Sequence, residues 1–324
     1  MKTIPALLTL LGTACLSPLI PYSSAAEPEA KPLTKPIGTP KMEGAVSDLA
    51  GNFYFCNMQD EGLAINKQGN IGTIPAGSDE AEVFLTLPEG IRGNGLRFGP
   101  DWNLYMADQL GGQVVRIDPR TKEVTVIHKF DIENPSWKNS PNDVAITNDG
   151  KRLYVSLLGG GLYTMTLEGE EVKKVSNKST NGVDVAPDGK TLYTANAFYE
   201  IQADGTLKET GVKPDLPKEG YTYTDGLRSD AEGNVYISRA GARVEVDGKK
   251  EQQPGGVHVV APDGSLIKTI EAPYSRVHNV GFGGKDGKTL FMICPGRDGF
   301  VAVYENEIPG AYLSQLQNWA DQAQ

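Results

Sequence analysis

Six positions far apart in the chain, Glu43, Asn94, Asn142, Asn181, Asp225 and Asn279, open stretches of similar grammar. Each of these side chains offers an oxygen, and none is basic. Brought together they would form a ring of carboxylate and amide oxygens. Such a ring suits Ca2+, which takes about six to eight oxygen ligands at ~2.3–2.6 Å, or Mg2+ or Mn2+. Glu43 and Asp225 would together neutralise a divalent charge. The competing reading is that Asn-Gly and Asp-Gly merely form turns or cap strand starts. Recurrence in register favours the metal, because most Asp-Gly turns elsewhere in the chain lack a preceding Asn. Other sources of chemistry are thin: there is no His-Glu-x-x-His, no Gly-x-Ser-x-Gly, no phosphate loop and no EF-hand spacing. His128 and His258 fall within predicted strands and read as structural. His278 adjoins Asn279 and is a candidate site residue.

The elements that must position these residues are hairpins. The run from Asn181 to Thr194 is the clearest: a polar opener, an alternating apolar run, an Asp-Gly turn and a second apolar run ending in Leu192-Tyr193. Copies begin at the other five openers, roughly 40 to 55 residues apart, the size of a propeller blade. Second hairpins follow, such as Gln113–Asp118 with Glu123–Ile127, so each repeat predicts four strands. The fold class read from this pattern is all-β, a six-bladed β-propeller over residues 42–308. The openers would line one mouth of its central channel. The longer segments 131–141, 212–224 and 271–278 would wall that mouth with Trp137, Tyr221, Tyr223, Tyr274 and Arg276.

The flanks read differently. Residues 1–26 resemble a cleaved export signal, with Lys2, an apolar Ile4–Ile20 run and Ser24-Ala25-Ala26, so a periplasmic or secreted protein without a transmembrane anchor is expected. Lipid attachment at Cys15 is a weaker alternative. Residues 27–41 read as a flexible Pro- and Lys-rich lead, 239–254 as a solvated hairpin extension, and 309–324 as a short helix bearing Leu313, Leu316 and Trp319. The net charge of −10 argues against nucleic acid as a partner. Cys56 and Cys294 end equivalent strands of the first and last repeats, so a ring-closing disulfide and two buried thiols are both open.

Several of these stretches resemble the gluconolactonase/senescence marker protein-30 (regucalcin) family. They are Asn139-Ser140-Pro141-Asn142-Asp143, Thr180-Asn181-Gly182 with Pro187-Asp188-Gly189, Tyr223-Thr224-Asp225-Gly226, and Asn279 with Phe282-Gly283-Gly284. Glu43-Gly44 is similar to the family's Glu-Gly-Pro, with Ala45 replacing the proline. The resemblance implies a propeller with one central divalent ion that hydrolyses sugar-acid lactones. By the same resemblance Glu43, Asn142, Asn181 and Asp225 are the metal ligands, and Asn94 lines the channel. Ca2+ is the expected ion, with Zn2+, Mn2+ and Mg2+ as alternatives. Asp225 is the candidate general base, and Asn94, Tyr223, Arg276, His278 and Asn279 are candidate substrate contacts. Two departures bear on substrate: Ser140 stands where animal members have Arg, and Leu157-Leu158 where bacterial members often have an acidic residue. A Ca2+-dependent esterase or phosphotriesterase is the alternative enzyme. A non-catalytic propeller binding a partner or glycan is the alternative of a different class.

Overall fold

The computed structural model describes residues 29–35, 37, 41–58, 69–246, 249–296 and 298–323. Six four-stranded antiparallel sheets form the blades of a β-propeller. Their inner strands are Met42–Ser47, Gly93–Phe98, Pro141–Ile146, Val183–Val185, Tyr221–Ser229 and Asn279–Gly283. The outer strands alternate exposed and half-buried residues, whereas most inner and second strands are buried along their length. That is the burial expected when each blade is sandwiched between two others. The expected charged extension is present as a separate hairpin, Arg243–Val246 with Lys249–Gln252. The residues of the expected export signal, Cys15 included, lie outside the described residues. Among the described residues no helix is long and apolar enough to cross a membrane.

Local chemistry explains the repeated phrase. In three hairpins the Tyr of the second strand donates its hydroxyl back to the turn carboxylate: Tyr54 to Asp48 at 3.0 Å, Tyr105 to Asp101 at 3.0 Å and Tyr236 to Asp230 at 3.1 Å. The glycine after the opener serves close approach between blades. A Cβ on Gly95 would collide with the Asp143 side chain of the next inner strand. Gly44, at φ +63°, would meet Asn94 O in the same way.

One expectation is corrected, and one pair of alternatives is decided. Residues 27–41 are not all a loose lead, because Lys31–Pro32 pairs with Ala302 and Val303 as the outermost strand of the sixth blade. The C-terminal repeat supplies only three strands to that blade, and the N-terminal strand closes the ring. Nor do Cys56 and Cys294 form a disulfide; both are buried free thiols. Strand alternation separates them. Phe53 and Phe55 face Phe291 and Ile293 across the junction of first and sixth blades, so Cys56 and Cys294, each one residue out of phase, face away into different cores.

The channel is plugged by charge. Arg228 makes a forked pair with Asp143 (Nη1 to Oδ2 2.7 Å, Nη2 to Oδ1 3.2 Å), and Arg97 Nη2 meets Asp184 Oδ1 at 3.2 Å. All four side chains are buried. Asp143 also accepts from Val144 N and Val183 N, and Asp184 from both Ser229 N and Oγ. The helix Ala311–Gln322 covers the end of the channel beyond this plug. Its Tyr312 ring lies 5.2 Å from the Arg97 guanidinium, and Trp319 Nε1 donates to Asn148 O.

Removing one partner leaves the other charge buried and unpaired. Asp143→Ala should therefore destabilise the fold by about 3–5 kcal/mol in a urea unfolding titration. A loss within about 0.5 kcal/mol, the size of an ordinary surface substitution, would contradict this assignment.

Candidate active site and metal centre

At the opposite end of the axis from the helix, the inner strands are interrupted at the openers. Register shifts fall between Glu43 and Val46, Gly93 and Leu96, Pro141 and Asp143, and Thr224 and Leu227. A bulge of this kind re-aims a side chain out of the regular pleat. Asn181 reaches the same place from the turn before its short strand, Val183–Val185. Glu43, Asn94, Asn142, Asn181 and Asp225 consequently meet on the floor of a chamber of about 650 Å3.

The sixth blade departs from the sequence expectation. Asn279 sits in regular register opposite Ile293, without a bulge. Its Oδ1 accepts from Val280 N at 3.0 Å, and it does not line the chamber. The preceding residue, His278, takes its place. His278 Nδ1 lies 3.0 Å from Glu43 Oε1, within ion-pair range but off the line of a hydrogen bond. On the other side of the ring Nε2 lies 3.1 Å from Tyr223 Oη. Glu43, Asp225 and His278 bring one ligand atom each within 4.8 Å of one another.

Tyr223, Trp137 and Tyr221 wall the chamber as expected. Arg276 does not join them; it is exposed, and its backbone bridges to Ala240. Tyr274 is also held elsewhere, stacked on Phe300 at 4.5 Å. Four polar lining residues were not singled out from the sequence: Lys41, Gln109, Ser179 and Asn196. Lys41 had a readable signal, since it stands two residues before Glu43 at the period of a strand. Gln109 and Asn196 follow second strands and carried no signal of their own. Leu158 and Ala195 complete an apolar side of the wall. His258 is structural as expected, buried with Nδ1 2.9 Å from Thr269 Oγ1, and His128 packs edge-on against Phe130.

Electrostatics marks the floor as short of positive charge. Burial, reinforced by the Glu43 carboxylate, pushes the Asp225 carboxyl well above the usual range, against the pull of His278. Burial opposes protonation of His278, but Glu43 and Asp225 outweigh it and hold the imidazole above its ordinary value. Burial, then Asp225, pushes the Tyr223 phenol up to about 12. Burial lowers Lys41, with Glu43 and Asp225 working the other way. Two oxygens on the floor, Asp225 Oδ1 and Asn94 Oδ1, are buried with no hydrogen-bond partner. Paired oxygens and an imidazole nitrogen around such orphaned acceptors fit a divalent cation.

The family model for the SMP-30/gluconolactonase/LRE-like region matches residues 103–294. The chain belongs to this family. Curated relatives include a gluconolactonase from Zymomonas mobilis, 24% identical over 231 residues covering 61% of this chain and 60% of the relative. The lactonase drp35 of Staphylococcus haemolyticus is 32% identical over 208 residues, 62% of this chain and 54% of the relative. The chain thus spans somewhat more than half the length of these two relatives. Among solved structures, a calcium-binding protein, regucalcin, from Agrobacterium tumefaciens superposes with a TM-score of 0.65 at 20% identity, over 87% of this chain and 95% of that one. A gluconolactonase from Xanthomonas campestris superposes with a TM-score of 0.64 at 16% identity, over 86% and 89%. These neighbours share the propeller fold.

The raised groups set a pH dependence for the ion-free protein. Asp225 and His278 bind their protons more tightly folded than unfolded, so their contribution to stability grows as pH falls through the raised values and is lost as pH rises. His258, held down to about 4 by burial and Arg239, acts in the opposite sense, and both proteins compared below retain it. In chelator, the melting temperature of wild type relative to Asp225→Asn should rise between about pH 7.5 and about pH 5.5. A constant or falling difference would contradict the stated environment of Asp225.

Proposed function

We propose that this protein is a divalent-metal-dependent hydrolase that opens lactones of sugar acids. The observation that carries this reading is the convergence of Glu43, Asp225 and His278 beside the orphaned oxygens of Asp225 and Asn94, at the floor of a chamber large enough for a monosaccharide lactone. The gluconolactonase and lactonase relatives support it. Glu43, Asp225 and His278, with Asn142 and Asn181, are the residues that would hold the ion. Ca2+ is the ion we favour, given the oxygen-rich set. Zn2+ gains from the inclusion of His278. Export of the chain belongs to the same reading, on the strength of the apolar Ile4–Ile20 stretch.

Bound there, a divalent cation supplies Lewis-acid polarisation of an ester carbonyl. The residues do the rest. Asp225, one of two carboxylates on the floor, takes a proton from the attacking water. The C–O bond of the ring then breaks, and the departing ring oxygen recovers that proton to leave as a hydroxyl. Asn94 and Asn142 line the chamber and offer amide N–H donors for the substrate oxygens. The contact between Tyr223 and His278 ties the wall of the chamber to its floor. The apolar wall of Trp137, Leu158, Ala195 and Tyr221 favours a second substrate class, less polar carboxylic esters.

Hydrolysis of a lactone panel followed by pH indicator tests the reading. Turnover should vanish with chelator and return with one of Ca2+, Zn2+, Mn2+ or Mg2+. Asp225→Asn should lose roughly 100- to 10,000-fold in kcat/KM with its circular dichroism unchanged. Stoichiometric metal binding without turnover of any lactone or ester would instead make the protein a metal-loaded binding propeller.

A further inference from the structure

Among the described residues the charged side chains lining the chamber are few: Glu43, Asp225, Lys41 and, when protonated, His278. A divalent cation balances the two carboxylates. Lys41 is then left over. Among the described residues its ammonium makes no hydrogen bond or ion pair at contact distance, while its carbonyl is anchored by Met58 N at 3.0 Å. Its placement two residues before Glu43 sets its charge on the chamber wall next to the floor.

This cation stands against the character of the whole molecule. With a net charge of −10, the long-range field repels anions, so an anionic substrate has to be recognised by local contacts. A neutral polyol lactone gives a partly desolvated ammonium no ionic partner, whereas a carboxylate on the substrate does. Met in place of Lys would fill similar space against the same wall without charge, so packing alone does not require the amine.

We infer that Lys41 is a specificity-determining residue that selects lactones carrying a carboxylate, those of sugar diacids or uronic acids, over neutral sugar lactones. The inference rests on the lactonase reading and names its substrate class. It adds no chemical step: the substrate carboxylate stays intact while the lactone C–O bond is broken.

The test uses two stable analogues in which the ring oxygen is replaced by NH: a glucaric lactam, which carries a carboxylate, and a gluconic lactam, which does not. Each is titrated calorimetrically into metal-saturated wild type, Lys41→Met and Lys41→Arg, with metal binding checked separately in each protein. Wild type should bind the charged lactam roughly 10- to 100-fold more tightly than the neutral one, as expected of a charge-assisted hydrogen bond. Lys41→Met should abolish that preference while keeping affinity for the neutral lactam, and Lys41→Arg should restore part of it. Equal affinities in wild type, or a preference that survives Lys41→Met, would overturn the inference. So would loss of affinity for both lactams in Lys41→Met, which would mark a structural role. Weakened binding of gluconate alone would also overturn it, by assigning Lys41 to the product carboxylate. If the lactam preference holds but no lactone is hydrolysed, the hydrolase reading fails and the recognition stands.

Discussion

The structure depends on two ion pairs buried on the axis. Arg228 of the fifth blade holds Asp143 of the third, and Arg97 of the second holds Asp184 of the fourth. Each link skips a blade, so the two together tie four inner strands across the channel rather than around it. Buried ion pairs are weak evidence for stability, because desolvation consumes much of the Coulomb gain. Their consequence here is register. Both carboxylates also accept backbone N–H groups from the inner strands, and a strand slipped by one residue would leave full charges unpaired in the interior.

That register is what the floor of the chamber inherits. Along each of the second, fourth and fifth inner strands the opener and the plug residue are three apart: Asn94 and Arg97, Asn181 and Asp184, Asp225 and Arg228. One layer is internally neutral and buried. The layer above it carries two carboxylates, three amides, one imidazole and acceptors without donors. A divalent ion is the simplest species that satisfies such a layer, and the chamber above it is the space left for a substrate. Lys41 completes the arrangement from the edge, close to both carboxylates without being paired to either.

Much of this was legible in the sequence because a propeller repeats its grammar. Blade number, hairpin order and five of the six floor residues follow from the recurrence of a polar opener, alternation and turn, and the C-terminal helix from the spacing of Leu313, Leu316 and Trp319. The misses have local causes. Asn279 looks like a sixth opener, but the sixth blade has no bulge there, and a bulge is not visible in residue types; one position of register moves His278 onto the floor instead. Lys31–Pro32 is too short to show alternation, so its place in the sixth blade comes only from ring closure. The cysteines occupy equivalent strand ends, yet the pleat turns them into different cores. The axis pairs were hidden because sequence does not say which blades face one another across a channel.

The most direct measurement is anomalous X-ray scattering from crystals soaked in Mn2+, which locates the ion independently of any activity. A single strong peak bounded by Glu43, Asp225 and His278, with Asn142 or Asn181 completing its shell, is the predicted result. Stoichiometric binding in solution with the peak at another place on the molecule, and none on the chamber floor, would contradict a metal centre at the heart of the propeller.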